Sequence, residues 1–187
     1  MPALVAALGD PDANVRQNAA DALGKIGPPA VPALAAALGD PHANVRQNGA
    51  AALGKIGPPA VEAVPALAAA LGDPDANVRQ NAADALRKIG PAAMPALIAA
   101  LGDLDGNVRR RATAALRKIG PPAVEAVPAL VATLGDPDAN VRQNAAAALG
   151  KIGPPAVEAV PALVAALRDP DGYVRLRAAA ALMIIKT

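Results

Sequence analysis

Hydrophobic positions along the chain follow two alternating patterns. The first is a short apolar run, Pro-Ala-Leu followed by Val/Ala/Ile-Ala-Ala/Thr-Leu, beginning at Pro2, Pro32, Pro65, Pro95, Pro128 and Pro161. The second is amphipathic. Val15, Ala19, Ala22, Leu23 and Ile26 fall at i, i+4, i+7, i+8 and i+11, one face of a 3.6-residue helix. Asn14, Gln17, Asn18, Asp21 and Lys25 form the opposite stripe. Asp12, or else Asp10 with Pro11 at the first helical position, caps this helix. Gly27 stops it, and Pro28-Pro29 forbid continuation.

The pair of patterns recurs. Its first Asp falls at 10, 40, 73, 103, 136 and 169, at intervals of 30, 33, 30, 33 and 33 residues. In the second copy His42 takes the place of Asp12, which shifts the expected cap to Asp40. Where the interval is 33, Val-Glu-Ala is added in front of the short run, as in Val61-Glu62-Ala63. Three residues are just under one helical turn. The longer copies are expected to gain a turn, with a kink or break at Pro65, Pro128 and Pro161, and Glu62, Glu125 and Glu158 near a helix N-terminus. Helix pairs this short cannot bury an apolar face alone, so stacking is required. Leu23, Leu53, Leu86, Leu116 and Leu149 should line the shared core.

Composition narrows the picture. Residues are 53% hydrophobic but only 1% aromatic, so the core consists of Ala, Leu, Val and Ile. A net charge of +2 demands neither nucleic acid nor an anionic membrane. With no Cys there is neither a disulfide nor a thiolate metal site. Met1-Pro2 opens without a basic or apolar leader pattern, and Pro, Gly and Asp interrupt every uncharged stretch. A soluble, cytoplasmic protein is expected.

The pattern Asp-x-Asp-x-x-Val-Arg-x-x-Ala-Ala-x-Ala-Leu-Gly-x-Ile-Gly, then Ala-Val-Pro-Ala-Leu, resembles the short HEAT repeat of the phycobilisome-lyase type. The resemblance covers residues 2–187. It implies an all-α fold, a right-handed solenoid of six helix pairs in one domain over 1–187, with units at about 2–27, 28–57, 58–90, 91–120, 121–153 and 154–187. It further implies that the second helices line the concave side. Asp10, Asp40, Asp73, Asp103, Asp136 and Asp169 would form an inter-unit ladder with Arg16, Arg46, Arg79, Arg109, Arg142 and Arg175. Copies this alike, with Val-Arg-Gln-Asn-Ala almost verbatim in four, point to recent duplication or a consensus-like scaffold.

No catalytic constellation emerges. One His and no Cys cannot assemble an iron or zinc site, and there is no Ser nucleophile. Tyr173 alone cannot stack an extruded nucleic-acid base. The turn acids read as caps, and no metal, cofactor or catalytic residue is expected. Specificity should lie where copies differ. The fourth copy replaces the neutral stripe by Arg110 and Arg111, with Arg117 and Lys118 following, and Arg87 and Lys88 precede it. With Gln80 and Asn81 from the amide ladder, these residues are the expected contacts to a protein partner of acidic character on the second-helix face. The alternatives are an accessory subunit for phycobilin attachment and a consensus-like scaffold with no natural partner. The last copy places Tyr173, Leu176 and Ile184 where others are polar, so self-association through uncapped ends is expected unless the chain is a fragment of a longer array.

Overall fold

The computed structural model describes residues 1–186. Among these residues there is no strand. The helices in chain order are α1 (Pro2–Ala6), α2 (Ala13–Ile26), α3 (Val31–Ala37), α4 (Ala43–Ile56), α5 (Val64–Ala69), α6 (Ala76–Ile89), α7 (Met94–Ala100), α8 (Gly106–Ile119), α9 (Val127–Thr133), α10 (Ala139–Ile152), α11 (Val160–Ala166) and α12 (Gly172–Ile185). Even-numbered helices are all 14 residues long and alternate with short ones, the arrangement of an all-α solenoid. Two compact units divide inside α7, at Met1–Ala96 and Leu97–Thr187.

Each long helix except α4 starts on a pair of acids with separate tasks. Asp10 Oδ1 accepts the Asp12 N–H at 2.8 Å and holds the turn. Asp12 Oδ1 accepts the Asn14 N–H at 2.7 Å and is the cap. The same division recurs at Asp73/Asp75, Asp103/Asp105, Asp136/Asp138 and Asp169/Asp171. At α4 the expected substitution of Asp40 as cap does not occur. Asp40 lies two residues before the N-cap and reaches only the N–H and Nδ1 of His42, so α4 has no side-chain cap. Each of α2, α4, α6, α8 and α10 ends on a Gly with φ between 72° and 78°, a conformation that disfavours a Cβ.

The added Val-Glu-Ala builds something other than an α-helical turn. Pro58–Ala63, Pro121–Ala126 and Pro154–Ala159 are six-residue 3₁₀ segments, against three residues at Pro28–Ala30. The irregular residues are Ala60, Ala123 and Ala156, with ψ of 21–24°, and not the prolines expected to kink. Pro65, Pro128 and Pro161 sit in the first turn of the following α-helix, where a missing N–H removes no intrahelical bond. Glu62, Glu125 and Glu158 fall within the 3₁₀ segments, outside the first α-helical turn.

The connector length sets the register of the long helices. A Cβ on Gly54 would lie 3.3 Å from Ala85 Cα, and one on Gly150 would lie 3.0 Å from Ala181 Cα. A Cβ on Gly24 would instead meet Lys55 Cβ at 3.0 Å. All three pairs are 31 residues apart. At these three glycines the facing residues keep one separation along the chain, so at this contact the shorter interval offsets α4 along α2 by three repeat positions, nearly one turn.

The core follows the Leu ladder. In the first unit Leu23, Leu53 and Leu86 are fully buried, and in the second Leu116 and Leu149. Val15 and Ile26, expected on the buried face of α2, are each 40% exposed, whereas Val45 and Val78 are buried. The difference arises because α4 is packed between α2 and α6, while α2 packs against α4 alone among the long helices of its unit.

Candidate functional site

Every long helix carries an Arg near its start, and in Arg46, Arg109 and Arg142 the guanidinium has two uses. Nη1 accepts nothing and donates to two carbonyls of its own turn: Arg46 to Asp40 and Pro41 at 2.9 and 3.0 Å, Arg109 to Asp103 and Leu104 at 2.8 and 3.0 Å. Nε and Nη2 then grip the first Asp of the following copy. The bidentate pairs are Arg46–Asp73 at 2.7 and 2.9 Å, Arg109–Asp136 at 2.6 and 3.1 Å, and Arg142–Asp169 at 2.8 and 2.9 Å. All three cross 33-residue intervals. Among the described residues, Arg16, followed by a 30-residue interval, keeps only its own-turn carbonyls, and Arg79 donates to those of Asp73 and Pro74. Within the two units the ladder has three rungs, with none between Arg16 and Asp40. In the first unit the reason is the register shift, which carries Asp40 past the reach of Arg16.

The rungs are electrostatically distinct from the open turns. Burial raises the proton affinity of the Asp73 and Asp136 carboxyls, but hydrogen bonds from Arg46 and Arg109 and from the turn N–H outweigh it. Both are held below the ordinary carboxylate value. At Asp169 the Arg142 hydrogen bond is the largest effect, with the same outcome.

In the first unit the expected contact residues Gln80, Asn81, Arg87 and Lys88 lie on α6. Asn81 Nδ2 donates to the Gln47 carbonyl at 3.1 Å, and Asn48 Nδ2 donates to the Leu8 and Asn44 carbonyls at 3.1 and 2.8 Å. These amides stitch one copy to another, so Asn81 is a scaffold residue before it is a contact. Gln80 bonds Asp84 at 2.8 Å, and Arg87 Nε lies 3.8 Å from Asp84. Lys88 is exposed.

In the second unit Arg110, Arg111, Arg117 and Lys118 lie on α8. Arg110 Nη2 donates to Asn107 at 3.2 Å. Arg117 turns toward α10 and α12 and lines a cavity of about 120 Å³ with Ala146, Ala147, Gly150, Lys151, Arg177, Ala180, Ala181 and Ile184. Lys151 and Arg177 were not singled out by the sequence reading. A visible signal existed: α8, α10 and α12 contain no Asp or Glu, whereas in the first unit only α4 lacks them and α2 and α6 carry Asp21 and Asp84. Ile184 belongs to this cavity, while Tyr173 and Leu176, 67% and 60% exposed, do not line it.

His42 pairs with Asp40 at 3.1 Å and borders a groove of about 710 Å³ between α1 and α3 that is otherwise mostly apolar. Among the described residues, no group of three His, Cys, Asp or Glu side chains is placed to hold a metal ion, and no helix is long and apolar enough to cross a membrane.

Comparison with known proteins agrees with this architecture. A model of HEAT repeats matches residues 1–62, 31–103 and 94–183. Among solved structures, the complex of CpcE and CpcF of phycocyanin lyase from Nostoc sp. is 32% identical, with 98% of this chain and 76% of that one covered and a TM-score of 0.53. An engineered protein is 27% identical over 98% of this chain and 95% of its own, with a TM-score of 0.58. A computationally designed armadillo repeat protein for modular peptide recognition is 25% identical over 98% of both chains, with a TM-score of 0.57. No curated protein matches.

Proposed function

The chain belongs to the HEAT repeat family, and from that premise we propose that it is a non-enzymatic scaffold that binds an acidic segment of a protein partner on its long-helix face. One observation carries the reading. The three long helices of the second unit, α8, α10 and α12, carry Arg and Lys with no acidic residue between their first and last positions. Part of that charge is consumed by the Asp136 and Asp169 rungs. Among the described residues, Arg110, Arg117, Lys151 and Arg177 have no salt bridge to a carboxylate. Arg111 and Lys118 lie on the same helix as Arg110 and extend the basic stripe. An extended acidic chain offers the complementary charge, and the fold's likeness to a designed peptide-recognition protein supports a peptide-like partner. Such binding weakens with salt, because exposed charges are screened within about 10 Å at 0.1 M ionic strength. A pull-down with the chain as bait, repeated with Arg110→Ala/Arg111→Ala, tests the reading. Partners captured by the parent and lost with the variant support it, whereas equal capture contradicts it.

A second copy of the chain is the further partner assigned to Tyr173 and Leu176. Tyr173 and Leu176 are exposed apolar side chains at positions that the other copies keep polar, and Met183, 74% exposed, adds a further exposed apolar side chain on α12. The likeness to the phycocyanin lyase complex favours a different reading, an accessory role in phycobilin attachment. It predicts a shifted bilin absorption band on mixing, and an unchanged spectrum removes it.

A further inference from the structure

The cavity between α8, α10 and α12 gathers like charges, whereas the Lys at the corresponding place in α4 is neutralised. Lys55 forms a salt bridge with Asp21, 34 residues before it. At the same separation Lys151 has Arg117, and both line the cavity. Arg117 also stands where Gly24, Gly54 and Gly150 stand in other copies, so its side chain is an addition to the scaffold. Its Nε is buried with no hydrogen-bond partner among the described residues. A buried donor without an acceptor is destabilising, and so are neighbouring cations. Arg177 completes the rim from the place Asn81 occupies in α6. Among the described residues no carboxylate lines the space. The floor is Ala146, Ala147, Gly150, Ala181 and Ile184, wholly apolar.

We infer that this cavity captures the free C-terminal carboxylate of a partner chain ending in a small branched aliphatic residue. The inference rests on the acidic-partner reading and gives that partner a defined end. Guanidinium and ammonium groups that lack an internal acceptor suit a carboxylate, and Arg binds it in the planar, bidentate manner seen in the Arg–Asp rungs. The size argues for a chain end. At about 120 Å³ the cavity is smaller than the roughly 300 Å³ or more of ordinary ligand sites, so it admits one side chain and not an extended segment. A terminal Val or Leu places its carboxylate on the rim and its methyl groups on the Ala/Ile floor. An internal Asp or Glu would place its charged group where the floor is apolar.

The test is fluorescence anisotropy with a labelled peptide ending Gly-Gly-Gly-Val, as the free acid and as the C-terminal amide. The free acid should bind at least about tenfold more tightly than the amide. Arg117→Gly, which copies the other units and should fold, and Lys151→Gln should each remove most of that difference. Ala147→Leu, which fills the floor, should weaken the free acid with both cations intact. Equal affinity of acid and amide, or an undiminished difference in Arg117→Gly, overturns the inference. An amidated poly-Glu octapeptide separates the two levels. If it binds while acid and amide are equal, only the chain-end site fails, and if nothing binds, the acidic-partner reading fails with it.

Discussion

The Arg at the start of each long helix shows how much one side chain's environment depends on residues some 27 positions away. Arg46, Arg109 and Arg142 meet a carboxylate, while Arg16 has the same local sequence and does not. Truncating a rung should therefore cost more than truncating an open turn. Asp136→Ala is expected to lose about 2 kcal/mol, the scale of charge-assisted hydrogen bonds, measured by chemical denaturation. Asp40→Ala should leave the midpoint nearly unchanged, because the Asp40 side chain bonds only His42 and the carbonyl that Arg46 uses is kept. The pH dependence follows from the lowered proton affinity of Asp73, Asp136 and Asp169. Their contribution is fully present above the unfolded carboxylate value, about 3.9. It is lost as pH falls below that value and through the lower folded ones. The stability gap between the parent and Asp136→Asn should narrow on acidification below about pH 4, and a gap that widens there contradicts the rung assignment.

At the level of elements, the connector and the glycines control how closely the long helices approach. Gly150 faces Ala181 Cα, so adding a methyl forces backbone to move. Gly150→Ala should destabilise by about 1–3 kcal/mol, the range for overpacking, less some gain in helix propensity. Gly49 lies in the middle of α4, where a Cβ would meet Ala37 Cβ at 3.4 Å, an ordinary contact. Gly49→Ala should instead stabilise by up to about 1 kcal/mol. Thermal melts of the two variants moving in opposite directions would confirm the register, and melts moving together would refute it. Periodicity made the helices, the Leu ladder and the Gly stops legible, because each is decided within a few residues. The register was not legible. Which flank of a helix meets its neighbour depends on connector length, so neither the bond from Asn81 to the Gln47 carbonyl nor the place of the half-exposed Ile184 beside a cavity was visible in the sequence.

For the molecule as a whole, charge is distributed by copy and not along the whole chain. A net charge of +2 conceals long helices in the second unit that have no acids at all. Reading along α8 singled out Arg117, but only packing across helices joins it to Lys151 and Arg177. The exposed apolar positions of α12 belong to the same scale. Light scattering at increasing protein concentration should show a mass above the monomer that falls in Tyr173→Asp/Leu176→Asp, and a strictly monomeric mass removes the second-copy assignment. Acidic-segment binding is tested most directly by titrating the chain into a labelled poly-Glu octapeptide at low salt. Saturable binding that weakens steeply with added salt, and is largely lost in Arg110→Ala/Arg111→Ala, is predicted. Absence of saturation, or equal binding by parent and variant, contradicts the account.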